Sequence, residues 1–227
     1  MTTIGYQPGP AWSYSQLKNA ETCLKRWFHY NIAKDVTEPE TQQLRDGNAL
    51  HRHFEARLAY NTPLPLGYGM FERALASVIA APGETHTEQK LAITGAFEGS
   101  TYFDKKVWFR TVIDCVKVRG DRASVLDWKT GKPNADHTQL QLMAATLFIH
   151  MPALQRVRAA LVFVNYGSET SAAEFLREDM PEVWNEILPR VRVMQDARAA
   201  QEYPPKPSGL CKKYCAVTSC EYYGRGK

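Results

Sequence analysis

The sequence predicts an α/β fold in which a mixed central β-sheet is flanked by helices. Three observations carry that expectation. Helix-period apolar patterns fill the first third of the chain, three β-like stretches follow near 87–94, 105–118 and 122–129, and a further helix and a buried strand come after them. Such a series buries its apolar faces by layering helices on a sheet. The chain has 227 residues, 44% hydrophobic and 23% charged, which is an ordinary globular composition. A single domain over 1–227 is expected, with its core at about 47–165, an N-terminal helix at 13–33 and a C-terminal tail at 203–227.

Ser13-Tyr14-Ser15-Gln16 fits a capping box, a hydroxyl at the N-cap with Gln three residues on. A helix should run from there to Ala33, with Leu17, Leu24, Trp27 and Phe28 on its apolar side. A second helix is expected over Asn48–Tyr60, where Leu50, Phe54 and Leu58 recur at helical spacing, and a third over Phe71–Ala80, stopped by Pro82-Gly83. The three β-like stretches are rich in Val, Ile, Thr and aromatics. A helix then spans about Asn134 to His150, Leu161 to Val164 reads as a buried strand, and Met180 to Gln201 reads as helical despite Pro189.

The informative stretch is Lys105–Lys132. Arg119-Gly120-Asp121-Arg122 reads as a tight hairpin with Gly-Asp at the centre, a composition suited to a type II′ turn. In that register Arg119 faces Arg122, Cys115 faces Leu126 and Asp114 lies across from Asp127. Alternation puts Trp108, Arg110, Val112 and Asp114 on one face with Val125, Asp127 and Lys129. Val107, Phe109, Ile113 and Cys115 share the other with Leu126 and Trp128. Asp114–Asp127 is then a non-hydrogen-bonded pair whose Cα atoms approach to about 4.5 Å. Two carboxylates so close repel, and a divalent cation between them removes the penalty. Oxygen donors suit Mg²⁺ or Mn²⁺. Lys129 is placed to orient or deprotonate a water, so metal-assisted phosphodiester hydrolysis is the chemistry these residues support.

Asp114, Val125-Leu126-Asp127-Trp128-Lys129-Thr130-Gly131-Lys132 and Gln139 resemble the D…(D/E)-x-K-T-G…Q series of RecB-like PD-(D/E)XK nucleases. The resemblance implies a restriction-endonuclease-like core, with Asp114, Asp127, Lys129 and Gln139 catalytic. Gly47-Asn48-Ala49-Leu50-His51 is similar to the family's G-x-x-x-H segment. It implies His51 as a metal ligand beside Asp114, Asp127 and the backbone carbonyl of Trp128, and Gln139 as a positioner of Lys129 or the DNA. Met143 stands where the family's Q-x-x-x-Y has tyrosine. Glu88 reads either as an outer carboxylate of the site or as a surface residue.

Cys211, Cys215 and Cys220 form C-x3-C-x4-C, one ligand short of a tetrahedral metal or cluster. Cys115 reads as core packing. Cys23, in Ser13-x-Ser15-x-Leu17…Cys23…Trp27, resembles the first cluster cysteine of the family's Fe–S subset. That subset includes CRISPR-associated RecB-like nucleases, the AddB nuclease domain and mitochondrial exonuclease 5. There the resemblance implies a [4Fe–4S] cluster, with Zn²⁺ on the same four thiolates as the alternative. The family's usual tail is C-x2-C-x5-C, so the middle cysteine here is shifted by one place.

Lys105 and Lys106 lead into Trp108 and Arg110, and Lys132 follows the catalytic strand. Trp108, Arg110 and Lys132 are candidate contacts to single-stranded DNA, although a solvated hairpin edge has the same composition. A net charge of +4 permits a nucleic-acid partner without arguing for one. Gly131-Lys132 is followed by Pro133, so the phosphate loop of an NTP-driven motor is absent. No apolar run approaches the ~20 residues of a membrane span, and the first ten residues lack a signal-peptide pattern. A cytoplasmic DNA nuclease is therefore expected, in a bacterial or phage-infected cell, acting as an exonuclease on single strands or ends. A helicase or recombination partner is left open. The alternatives are a catalytically silent DNA-binding subunit of the same fold and a zinc-binding structural protein.

Overall fold

The computed structural model describes residues 11–38, 40–133, 136–167 and 169–225. A six-stranded sheet runs in the order β2-β1-β3-β4-β5-β6, formed by β1 (Glu84–Thr94), β2 (Gly99–Ser100), β3 (Val107–Arg119), β4 (Arg122–Lys129), β5 (Arg156–Phe163) and β6 (Glu169–Leu176). Among the described strands only the β4–β5 ladder is parallel. Parallel neighbours require a crossover. Here α5 (Thr138–His150) supplies it, and nine of its thirteen residues are buried because it lies in the larger core between the sheet and α6 (Met180–Ala200). On the opposite face Leu50 and Phe54 of α3 (Gln42–Tyr60) and Leu75 of α4 (Glu72–Ala80) pack on Cys115, Trp128, Ala160 and Val162. The expected mixed sheet between helices is the observed architecture. Among the described residues no helix is long and apolar enough to cross a membrane.

The hairpin register is the predicted one from Arg119 opposite Arg122 to Cys115 opposite Leu126, but among the described residues the ladder stops there and does not include the expected pair Asp114–Asp127. Gly120 takes φ +60° while Asp121 is not among the positive-φ residues. One left-handed residue, at the first central position, is what a type II′ turn demands. The predicted sorting of faces fails at two points: the adjacent Trp108 and Phe109 both lie in the larger core, where the β1–β3 register shifts, and a second reversal follows farther along β3. Ile113 packs in the larger core with Val116 and Val125, whereas Cys115 packs with Trp128 in the smaller one. Strict alternation cannot put Ile113 and Val116 on one face. The reversal falls at Asp114, and directly across on β1 Glu88 has φ +48° between the pairs Thr87↔Cys115 and Gln89↔Ile113.

Four other expectations need correction. The N-terminal helix is broken: α1 (Tyr14–Thr22) ends and α2 (Leu24–Trp27) begins on Cys23, whose backbone is extended, and a π-helical turn covers Phe28–Ala33. Ser13 does cap α1 by accepting from the Gln16 N–H, but the Gln16 side chain donates to the Ala11 carbonyl instead of closing the box. The helix expected from Asn134 starts at Thr138, and residues 134 and 135 lie outside the described ones. Strand β6 was not expected at all.

The fourth correction concerns DNA. Trp108 is only 6% exposed, packed among Trp12, Phe97 and Trp184 with ring centroids 5.3, 5.6 and 5.9 Å away. Its carbonyl accepts from the Trp12 N–H, and the Trp12 carbonyl accepts from the Arg110 N–H, so residue 12 lies along β3. The Arg110 guanidinium sits over the Tyr102 ring. The Trp108 ring is not offered to a base, while Arg110 is half-buried. Trp108→Ala should cost about 3–5 kcal/mol of stability, the usual penalty for emptying an aromatic site. Chemical denaturation should detect that loss, with DNA affinity of the folded fraction unchanged.

α1, α5 and α6 are tied by a polar network at the start of α5. Asp136 Oδ1 accepts from the Thr138 N–H, and its Oδ2 receives Tyr14 Oη and Lys18 Nζ. Arg190 of α6 donates to Thr138 Oγ1 and pairs with Glu21, which also pairs with Lys18. Burial opposes ionisation of Asp136, but the hydrogen bonds from Thr138 and the Lys18 ammonium outweigh it and hold the carboxyl well below its ordinary range. A depressed folded pKa adds stability that is present above the unfolded value, about 3.9, and fades as pH falls through the folded one. Asp136→Asn should therefore lower thermal stability at neutral pH and flatten the acid limb of a melting-temperature profile below about pH 4.

Candidate active site

β4 carries Asp127 and Lys129 on the α5 face, since Asp127 pairs with Leu161 and Lys129 with Phe163, both in the larger core. Trp128, between them, points the other way and meets the Phe54 ring edge to face. Asp127 is buried, and its two oxygens are separately engaged. Oδ1 accepts from Gln139 Nε2 at 2.9 Å, and Oδ2 is ion-paired with Lys129 Nζ. Gln139 lies in the first turn of α5, the turn anchored by Asp136 and Thr138. Burial raises the Asp127 pKa, partly offset by the Lys129 charge and reinforced by Asp114.

Asp114 sits where β3 reverses its faces. Among the described residues the β3–β4 ladder ends at Cys115↔Leu126. One residue beyond, Asp114 Oδ2 accepts the Trp128 N–H at 2.8 Å. A strand N–H points within the sheet, so this carboxylate occupies the gap that opens between β3 and β4. Its Oδ1 lies 3.2 Å from His51 Nδ1. The Thr41 hydroxyl caps α3 by accepting from Leu44 N–H, and the helix carries His51 over the strand ends. The hydrogen bond to Asp114 raises the His51 pKa against the opposing effect of burial.

The left-handed turn at Glu88 brings a third group in. Ligating atoms of His51, Glu88 and Asp114 all lie within 4.8 Å of one another. Burial first, then the Asp114 charge, raises the Glu88 pKa. The sequence left Glu88 as either an outer carboxylate or a surface residue, because nothing in it signals a positive φ at a glutamate. The predicted residues thus fall into two adjoining sets. His51 and Asp114 stand with Glu88, while Asp127, Lys129 and Gln139 are bonded to one another. The charges of Asp114 and His51 both act on Asp127, which keeps the two sets in electrostatic contact. Trp128 joins them through its N–H. Lys132 is exposed beyond the strand, and Met143 is fully buried in the core.

Imidazole and carboxylate donors gathered so closely fit a hard divalent cation. Bonds of about 2.1 Å put ligand atoms up to about 4 Å apart across such an ion. The donors therefore need only small movements to converge on one.

The cysteines form a second centre. Cys23, Cys211, Cys215 and Cys220 line one pocket, helped by the extended backbone that turns Cys23 out of the helix. Cys23 Sγ accepts from the Lys206 N–H at 3.3 Å, and Cys211 Sγ from the Ser208 N–H at 3.4 Å. The tail is further held by Lys25–Glu221, by the Ala216 N–H on Tyr30 Oη, and by Tyr203 stacked on Phe28. Cys115 is fully buried away from them, as expected.

A model of the PD-(D/E)XK nuclease superfamily matches residues 11–220. Comparison with curated proteins finds no match. Solved structures that resemble the chain include a Eubacterium rectale protein proposed to be an exonuclease, 11% identical over 88% of this chain and 85% of that one, with a TM-score of 0.47. Another is the protein SSO0001, 15% identical over 97% of this chain and 90% of that one, with a TM-score of 0.42. The superfamily match spans both centres, from before α1 to the last of the four cysteines, and the chain belongs to the PD-(D/E)XK nuclease superfamily.

Proposed function

We propose that this nuclease-superfamily protein is a RecB-like deoxyribonuclease that hydrolyses DNA with Mg²⁺ or Mn²⁺, acting as an exonuclease on single strands or ends. One observation carries the reading: His51, Glu88 and Asp114 converge within 4.8 Å beside a buried Asp127 that Lys129 and Gln139 hold. The ion is assigned to His51, Asp114, Asp127 and the Trp128 carbonyl, with Glu88 adjoining. When bound, it supplies a Lewis acid and an activated water. The chain does the rest. The Trp128 N–H and His51 fix Asp114, Gln139 fixes Asp127, and Lys129 presents a cation to the phosphate or the attacking water.

The four cysteines are assigned to a [4Fe–4S] cluster that joins the two ends of the chain. Backbone N–H groups of Lys206 and Ser208 point at the Cys23 and Cys211 sulfurs. The four thiols line one pocket, which a cluster with thiolates at its corners would occupy; a single Zn²⁺ on the same four thiolates is the alternative. DNA is the assigned partner and the cytoplasm the assigned compartment.

The test is a time course on end-labelled linear and circular single-stranded DNA, with Mg²⁺ and with chelator. Progressive shortening of the linear strand only, abolished by chelator, is expected. Binding without shortening would make the protein a silent subunit, and a colourless zinc protein would overturn the cluster.

A further inference from the structure

The helices α3 and α4 cover only part of their face of the sheet. Toward the β3–β4 hairpin that face is open: Arg122 and Ser124 on β4 are exposed while Ala123 and Val125 are buried beneath α5, and on β5 Arg158 is exposed between buried Val157 and Ala159. Register then aligns like charges. Arg119 pairs with Arg122, and Arg122 with Arg156, so three arginines stand in one row across three strands. In the next row Lys117 pairs with Ser124, Ser124 with Arg158, and Arg158 with Glu174, the acid that Arg156 bonds. Paired residues share a face, and like charges directly opposite destabilise a sheet.

Neutralisation within the chain is partial. Arg156 bonds Glu174, Arg122 lies 3.8 Å from Asp121, and Lys117 Nζ caps the end of α4 on the Val78 carbonyl. Among the described residues Arg119 and Arg158 have no ion-pair partner. An open groove of about 750 Å³ runs from Cys115 and Leu126, each one residue from a site aspartate, out to Arg119 and Arg122.

We propose that this open sheet face is an accessory nucleic-acid surface that holds the phosphate backbone of the DNA strand beyond the active site. The proposal rests on the nuclease reading for the strand's identity. A polyanion relieves the arginine row, which a neutral or basic partner cannot do. Arg122 is five residues from Asp127 along β4 and on the opposite face of the sheet, at least about 17 Å away at strand rise, so only a strand longer than about five nucleotides that passes around the sheet end reaches both. The surface takes the place of Trp108, which the fold buries.

Binding of fluorescent single strands of about 40 and about 6 nucleotides is measured by anisotropy in chelator, so that no cleavage intervenes. Arg119→Glu/Arg158→Glu should raise Kd for the long strand about tenfold and flatten its salt dependence, leaving the short strand within about twofold. The milder double alanine variant should lie between, which separates charge from misfolding. An unchanged Kd for the long strand, or equal weakening of both, overturns the proposal. Cleavage of the same strands in Mg²⁺ is read separately: wild type that binds but never cuts refutes the nuclease reading and leaves the surface to be judged on Kd.

Discussion

Lys129→Ala should lower the cleavage rate by about 10²–10⁴-fold, the range for losing a group that acts on the reacting atoms or their proton. DNA binding should hold to within a few-fold. Lys129 is ion-paired with the buried Asp127, and Asp127 already resists ionisation because of burial and the nearby Asp114 charge. Removing the ammonium leaves His51 as the remaining cation acting on Asp127 and raises that carboxyl further, so the substitution weakens the aspartate as an anion as well as deleting the lysine. Arg should not restore the rate, since a planar guanidinium does not replace a compact ammonium. Single-turnover cleavage of labelled DNA checks this. A variant within about tenfold of wild type would place Lys129 outside the chemistry.

Cys211→Ala should bring the largest loss of stability. The four cysteines bring the first helical segment and the last stretch of chain to one pocket, so with the proposed cluster in place ligation free energy would become folding free energy. A loss of at least about 3 kcal/mol, or roughly 6–12 °C in melting temperature for a chain of this size, is expected together with loss of the metal. Cys115→Ala is the control. That thiol is buried between Leu126 and the α3–α4 layer, so its removal should cost about 1 kcal/mol and no metal. Calorimetry with iron and zinc analysis reads both variants. Full stability and metal content in Cys211→Ala would contradict the cluster assignment.

Much of the centre was legible because local rules act there alone. Gly120-Asp121 dictates the turn, the turn dictates the register, and the register places Asp114 and Asp127 at the mouth of one hairpin. The reversal of faces at Asp114 was not legible. It depends on Glu88 holding φ +48°, a conformation that costs energy and that no residue type announces. Trp108 and Arg110 misled for another reason. An aromatic interleaved with cations describes a base-stacking platform and a core strand equally well, and only the arrival of Trp12, Phe97 and Trp184 decides between them. Strand β6 escaped because Glu-Thr-Ser-Ala-Ala-Glu carries little β preference of its own. Its pairing with β5 supplies the structure. The break at Cys23 was hidden because the flanking residues are good helix formers, while the backbone departs from the helix at the residue whose thiol must reach the tail.

The central claim is that the mouth of the β3–β4 hairpin, under α3, holds a divalent cation. Crystals soaked in Mn²⁺ and measured near the manganese absorption edge test it directly. An anomalous peak within about 2.3 Å of carboxylate oxygens of Asp114 and Asp127 and beside His51 is the predicted result. A peak elsewhere, or none while the same crystals still cleave soaked DNA, would contradict it.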